Sequence, residues 1–212
     1  IRLTWLLGTG LKGILKKKMS DLPLNIKDYE GVTADSRQIQ NGFIFVAVPG
    51  VKDDGRRYIS QAIDNGAAAI VVPMGTDTGE LPSDVAVIEC ENVRLMLSKL
   101  AAAFYEERPR YLAGVTGTNG KTSCVHFLQQ LWEAQGIKAA GIGTLGLRSR
   151  VLGLEGGESM TTPDPVAFHQ ALSSLAAKGI THTAMEVSSH GLDQFRVDGA
   201  RLNVAGFTNL TR

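Results

Sequence analysis

Cys90 and Cys124 are the only cysteines in 212 residues. Two thiols cannot build the disulfide framework of a small secreted domain, and neither sits in a metal-ligand spacing, so a reducing cytoplasm is the expected compartment. No apolar run approaches the roughly 20 residues that span a bilayer. Residues 1–18 are apolar and end in Lys16-Lys17-Lys18, ahead of Met19. A secretory signal would carry its charge first and a small-residue cleavage site last. An interfacial helix stays open for this stretch, but the expectation is an extension that is not part of the fold, with the functional protein beginning at Met19. No repeat of 20–50 residues is visible. A basic face is missing too: of 22 basic residues, five lie in residues 1–18, which leaves 17 against 21 acidic residues beyond them. A nucleic-acid footprint is thereby excluded, and a polyanionic ligand has to be held by local groups. No membrane association and a monomer are expected.

What is present is a compact alternation of strands and helices. Phe43 to Val48 reads as a buried strand closed by Pro49-Gly50, followed by a helix over about Tyr58 to Asn65 and a strand at Ala69 to Val72. Val85 to Ile88 is a further strand. Asn92 to Tyr105 reads as a helix with Val93, Leu97, Leu100 and Phe104 on one face. The charged, proline-stopped joint Glu106-Glu107-Arg108-Pro109 then ends a first domain. Beyond it come a strand at Tyr111 to Ala113, a helix over Val125 to Ala134, a small-residue strand at Ala139 to Gly143, and a polar, glycine-rich excursion from Leu147 to Ser159. A helix over roughly Val166 to Lys178 and strands at Thr181 to Val187 and Asn203 to Phe207 complete the pattern. The expected fold class is α/β: a small amino-terminal α/β domain over residues 19–107, then a mostly parallel α/β domain over residues 108–212.

Between the strand and helix that open the second domain lies Gly114-Val115-Thr116-Gly117-Thr118-Asn119-Gly120-Lys121-Thr122-Ser123. A glycine-rich turn running into a helix gathers backbone N–H groups and the positive end of the helix dipole into an anion nest. A lysine neutralises a bound polyphosphate, and a hydroxyl ligates Mg²⁺. The spacing G-x-x-x-x-G-K-[ST] would put glycine at Val115, so the general motif misses by one residue; a glycine-rich turn without a ligand is the plain alternative. In parallel sheets the ligand crevice lies beyond the carboxyl ends of the strands, so this loop, the Thr161 segment and Glu186 can converge there. Glu186 is the natural further metal partner of Thr122. Ser188, Ser189 and His190 read as a turn and helix cap, because a serine hydrolase would need a G-x-S-x-G elbow. His126, His169 and His182 show no ligand spacing and read as helix-face or loop histidines; Cys124 reads as a small residue packed in the first helical turn. Asp35-Ser36-Arg37 is either an anion and hydroxyl contact or a turn. Arg196 is either a clamp for a carboxylate or a surface arginine.

Asp35-Ser36-Arg37, Phe45-Val46-Ala47, Asp54 to Ile59, Gly117 to Thr122, Thr161 to Asp164, Glu186 to Leu192 and Phe207 to Arg212 occur in an order that resembles the Mur ligases, and within them the branch that adds the third peptide residue. T-G-T-N-G-K-[ST] is that superfamily's own form of the loop; folylpolyglutamate synthase shares the loop without the amino-terminal D-S-R domain. The resemblance implies three domains, of which only the first and an incomplete, truncated second would be present, without the carboxyl-terminal amino-acid-binding domain. It implies ATP on Gly117, Thr118, Asn119, Gly120, Lys121, Thr122 and Ser123, with Lys121 and Glu186 catalytic and Mg²⁺ on Thr122 and Glu186. It places Ser36 at the uridine end of UDP-N-acetylmuramoyl-L-alanyl-D-glutamate, and Thr161, Thr162, Ser188 and Arg196 on its sugar-peptide part. The amine would come from diaminopimelate or lysine. Val51 stands where some relatives carry a nucleotide-contacting histidine. By this reading the chain alone turns over little, and the rival function is a non-catalytic nucleotide- or UDP-sugar-binding module.

Overall fold

A computed structural model describes residues 22–50, 53–157, 159 and 161–211. The extension at residues 1–18, Met19, Val51 and Arg212 lie outside the described residues. Two sheets organise the chain. In the first, β1 (Gly31–Thr33), β2 (Phe43–Val46), β3 (Ala67–Pro73) and β4 (Ala86–Cys90) run parallel in the order β1-β2-β3-β4. Successive side chains on a strand point to opposite faces, and the two cores obey that period. Ile44, Val46, Ala69 and Val71 pack with Val93, Leu97 and Leu100 of α2 (Val93–Phe104), whereas Phe45, Ile70 and Val72 pack with Ile59 and Ala62 of α1 (Ile59–Asp64). Helices on both faces make the inner strands β2 and β3 continuously apolar, as a parallel sheet requires. Asn92 caps α2 by accepting from the N–H of Leu95 at 3.0 Å.

The second sheet has the order β10-β5-β9-β6-β7-β8. β5 (Tyr111–Thr116), β6 (Ala139–Gly143), β9 (His182–Glu186) and β10 (Val204–Phe207) are mutually parallel, and α3 (Lys121–Ala134) and α4 (Pro165–Ala177) cover opposite faces. Asp164 caps α4 through the N–H groups of Val166 and Ala167, with Pro165 in the first turn, where its missing donor costs nothing. The stretch expected as a polar excursion is a hairpin instead. β7 (Gly146–Ser149) and β8 (Leu154–Glu155) extend the sheet antiparallel, and the buried Ser149 hydroxyl donates to the Ala139 carbonyl at 2.7 Å. Strands of four and two residues carry too little alternation to be read as strands.

Two further expectations are corrected. Cys124 lies in the first turn of α3 but is exposed. His182 opens β9, where its ring stacks on Tyr111 at 4.5 Å. Glu186, expected beside the glycine-rich loop as a metal partner of Thr122, ends β9 at 2% exposure.

The two halves meet where α2 packs on α4. At this contact the segment 194–201 crosses from the end of α5 (Ser189–Asp193) towards β10. The buried His169 is pushed down to about 4 by loss of hydration and shares a 3.0 Å hydrogen bond between its Nε2 and the Asp198 carbonyl. Burial pushes the Asp198 carboxyl up to about 6, against the pull of Lys99. The pH consequences oppose each other. His169 contributes stability that is complete above its unfolded value of 6.5 and drains away as pH falls towards 4. Asp198 costs stability above pH 6, and that cost disappears as pH falls towards 3.8. Between pH 4 and 6 the two largely cancel. Asp198→Asn is expected to uncover the histidine term: urea midpoints should then fall with acidification, with a slope of up to about 1.4 kcal/mol per pH unit. A variant as flat as the parent chain would contradict the pairing.

Candidate functional site

β5 delivers the loop Gly117–Gly120 into the first turn of α3. Gly117 and Gly120 take φ of 131° and 85°, values that L side chains rarely adopt, and Gly120 occupies the N-cap. The Lys121 ammonium folds back onto its own loop, donating to the carbonyls of Gly117 at 2.7 Å and Thr118 at 3.0 Å. A segment after β10 straps the loop from outside. The N–H of Thr118 donates to the Asn209 carbonyl at 2.9 Å and that of Asn119 to Asn209 Oδ1 at 3.1 Å, while the Thr208 hydroxyl donates to the Asn119 carbonyl at 2.6 Å. These two loop donors are thereby engaged by Asn209. The first-turn N–H groups of α3 have no intrahelical acceptor and remain for an anion.

Glu186 ends β9 directly beside β5, in register with Val115. Its Oε1 accepts from the N–H of Thr144 at 2.7 Å, and Oε2 from the Thr144 hydroxyl at 3.2 Å. Thr144 in turn shares a 2.7 Å hydroxyl contact with Thr161. Thr122, His126, Gln129, Gly143, Arg148 and Glu186 line one open cleft between α3 and the β6–β7 turn. His126 Nδ1 and Gln129 Oε1 in its wall are buried without a partner. The Glu186 carboxylate accepts one amide and one hydroxyl from Thr144, and a carboxylate has lone pairs beyond those two for a cation. With the Thr122 hydroxyl on the same cleft, the donor set of one hydroxyl and one carboxylate is oxygen-only, as Mg²⁺ prefers. Among the described residues no cluster of three or more His, Cys, Asp or Glu side chains occurs. An ion here would rely on Thr122, Glu186, phosphate oxygens and water.

The remaining site residues form a continuous network. Thr162, 2% exposed and held at a left-handed φ of 49°, accepts at its hydroxyl from the N–H of Ser188 at 2.9 Å and donates to the Glu186 carbonyl at 3.3 Å. Arg196 Nη1 donates to the Thr162 carbonyl at 2.9 Å and Nη2 to Gln194 Oε1 at 2.8 Å. Ser188 caps α5 through the N–H of Gly191 at 3.0 Å.

Lys121, Thr122, Glu186, Thr161, Thr162, Ser188 and Arg196 thus gather at the carboxyl ends of β5 and β9. Ser36 does not join them. It is buried on the first sheet's side, where its hydroxyl donates to Gln61 Oε1 at 2.8 Å, in a turn that Asp35 caps and braces with a bidentate pair to Arg37. Sequence reasoning passed over Thr144, Gln194 and Asn209. The glycines flanking Thr144-Leu145 were its one signal, and Thr208-Asn209 carried no chemistry until the fold laid it on the loop.

Two family profiles match the chain: "Mur ligase middle domain" over residues 115–212 and "Mur ligase family, catalytic domain" over residues 28–105. The UDP-N-acetylmuramoyl-L-alanyl-D-glutamate--2,6-diaminopimelate ligases of Brucella melitensis biotype 1 and Rhizobium meliloti strain 1021 are each 47% identical over 182 residues. Each alignment takes in 86% of this chain and 36% of the relative, so the chain spans little more than a third of their length. A solved ligase of the same name superposes with a TM-score of 0.72 at 30% identity, over 87% of this chain and 37% of the other. The MurF ligase from Thermotoga maritima, solved in complex with ADP, superposes at 0.55 with 23% identity over 88% of this chain and 38% of the other, a likeness of fold alone.

Proposed function

This chain belongs to the Mur ligase family, and from that premise we propose that it supplies the nucleotide site and part of the acceptor site of an ATP-dependent ligase. The reaction would join diaminopimelate, or lysine, to the D-glutamate γ-carboxylate of UDP-N-acetylmuramoyl-L-alanyl-D-glutamate, in cytoplasmic synthesis of the peptidoglycan precursor. One observation carries the reading: Thr122, next to Lys121 at the start of α3, shares a cleft with Glu186, and the Thr161–Thr162–Arg196 network reaches the same glutamate through Thr144 and the Glu186 carbonyl. A nucleotide on the loop and a carboxylate on Arg196 would then face each other across Glu186. We also propose that the chain divides at residues 107/108 into a domain for the UDP end, carrying Ser36, and a domain for ATP.

The chemistry asks for this arrangement. A carboxylate is a poor electrophile, and its charge repels the triphosphate. An oxygen of the acceptor carboxylate attacks the γ-phosphorus and ADP departs, leaving an acyl phosphate. The amine then attacks the acyl carbon, loses its proton and expels phosphate as the amide forms. Lys121 and the first-turn N–H groups of α3 neutralise the phosphates, and Arg196 with Thr161 and Thr162 hold the acceptor in line. Thr122 and Glu186 would hold Mg²⁺, which would supply further neutralisation of the nucleotide's charge.

Glu186→Gln keeps the shape of the side chain and removes its charge. ADP titrated calorimetrically into the parent chain is expected to bind more tightly with Mg²⁺ than without. The variant should lose about 10- to 100-fold of that Mg²⁺-dependent gain, the worth of one charge-assisted contact. An unchanged Mg²⁺ dependence would remove Glu186 from the metal site.

A further inference from the structure

We propose that Ser98, on the amino-terminal half, is a positioning residue for Arg196 on the other half, acting through the carbonyl of Phe195. Ser98 lies on α2 and is 0% exposed. Its hydroxyl donates across the contact between the halves to the Phe195 carbonyl, with the Arg94 carbonyl further off at 3.3 Å. Phe195 is an aromatic residue held at a left-handed φ of 58°, a conformation that persists only where surroundings over-determine it. The next residue is Arg196, whose N–H donates to Gly191 at 2.9 Å and whose guanidinium reaches Thr162 and Gln194. The carbonyl that Ser98 grips belongs to the peptide unit whose nitrogen is that of Arg196, so the orientation of that peptide sets where the arginine side chain starts.

The rest of the segment is gripped from both sides. On the α2 side, a Cβ on Gly199 would lie 2.6 Å from the Ala102 Cβ, and Arg108 Nη1 donates to the Gly199 carbonyl at 3.3 Å. On the α4 side, His169 holds the Asp198 carbonyl. The Phe195 carbonyl also accepts from the N–H of Asp198 at 3.2 Å, which closes the segment into a tight loop. Ser98 is the side chain of the first half that reaches the loop immediately beside Arg196. Docking of that half therefore does more than bring a substrate end nearby: it sets the geometry of a group in the acceptor network.

The acceptor part of this inference rests on the ligand assignment made above, so the test separates the two. In ¹H–¹⁵N spectra of the whole chain, Ser98→Ala is expected to shift the backbone and Nε resonances of Arg196 and the amide of Thr162, while Gly120 and Lys121 stay in place. Affinity for the UDP-sugar dipeptide should fall about tenfold, with ATP affinity unchanged. In an Arg196→Ala background, Ser98→Ala should cost nothing further for the dipeptide, because the relay has lost its end point. A merely structural serine would cost the same in both backgrounds or weaken ATP equally, and either outcome overturns the proposal, as do unmoved Arg196 resonances. Shifted Arg196 resonances in a chain that does not bind the dipeptide uphold the relay and reject the ligand. Ser98→Cys keeps the size and a weak donor; should alanine not fold, it is expected to shift the same resonances by less, and no shift overturns the proposal.

Discussion

Replacing Lys121 with alanine is expected to weaken ATP binding about 100-fold while the thermal midpoint moves by no more than about 2 °C. The asymmetry follows from where the ammonium sits. Its present acceptors are the Gly117 and Thr118 carbonyls, on a loop that faces solvent, so their loss exposes no buried group. Hydrogen bonds of that kind contribute little to folding, because water replaces them. A bound triphosphate changes the balance: the lysine is the loop's only cationic side chain, and a charge-assisted contact to phosphate is worth about 3 kcal/mol. The two carbonyls also keep the ammonium beside the nest before ligand arrives, so little side-chain freedom is lost on binding. Calorimetric titration of Mg·ATP into both chains, with melting curves on the same samples, measures both quantities. An affinity within threefold of the parent would sink the phosphate-loop assignment.

Gly143→Ala is expected to be the most damaging single methyl in the second sheet. A Cβ there would stand 2.1 Å from Glu186 Oε1 and 2.7 Å from its Cδ and Cγ. A glutamate free of partners would swing aside, but Glu186 is 2% exposed and both its oxygens are tied to Thr144. Either the strand shifts, or the carboxylate leaves and orphans the Thr144 N–H. Overpacking and an unsatisfied donor together cost about 2 to 4 kcal/mol, and the Mg²⁺-dependent part of nucleotide affinity should disappear with the carboxylate's position. Gly206→Ala on β10 is the control, since nothing lies within 4 Å of its Cβ. Its urea midpoint should shift by less than the equivalent of about 0.5 kcal/mol. Equal midpoints for the two variants would show that Glu186 is not held as described.

Much of the architecture was legible because each signal was local. β6 was read at its observed bounds, and α4 within a residue of them, from apolar runs, Asp164 and Pro165. The hairpin β7–β8 escaped because its strands are short and owe their pairing to the exposed edge of β6. The loop between β5 and α3 was readable from Gly117 and Gly120, whose positive φ the turn requires, and its proposed phosphate role from Lys121 and Thr122, residue types that answer one chemical demand in one short stretch. Glu186 was readable as a strand-end acid but not as a buried one. Its burial comes from Gly143 and Thr144, which are more than 40 residues away in the chain and adjacent only because β6 pairs with β9.

The amino-acid sequence by itself determined the α/β class, the glycine-rich turn between β5 and α3, and the family, since periodicity, turn chemistry and motif spacing are properties of neighbouring residues. Tertiary structure alone decided which distant groups share an atom-scale site. The order β10-β5-β9-β6 lays Asn209 on the loop and Glu186 beside Thr144, and the packing of α2 on α4 brings Ser98 to Phe195. The physical reason is range. A side chain's intrinsic preferences act over a few residues, whereas desolvation, close approach at Gly143 and hydrogen bonds between sheet neighbours depend on which strand lies next to which.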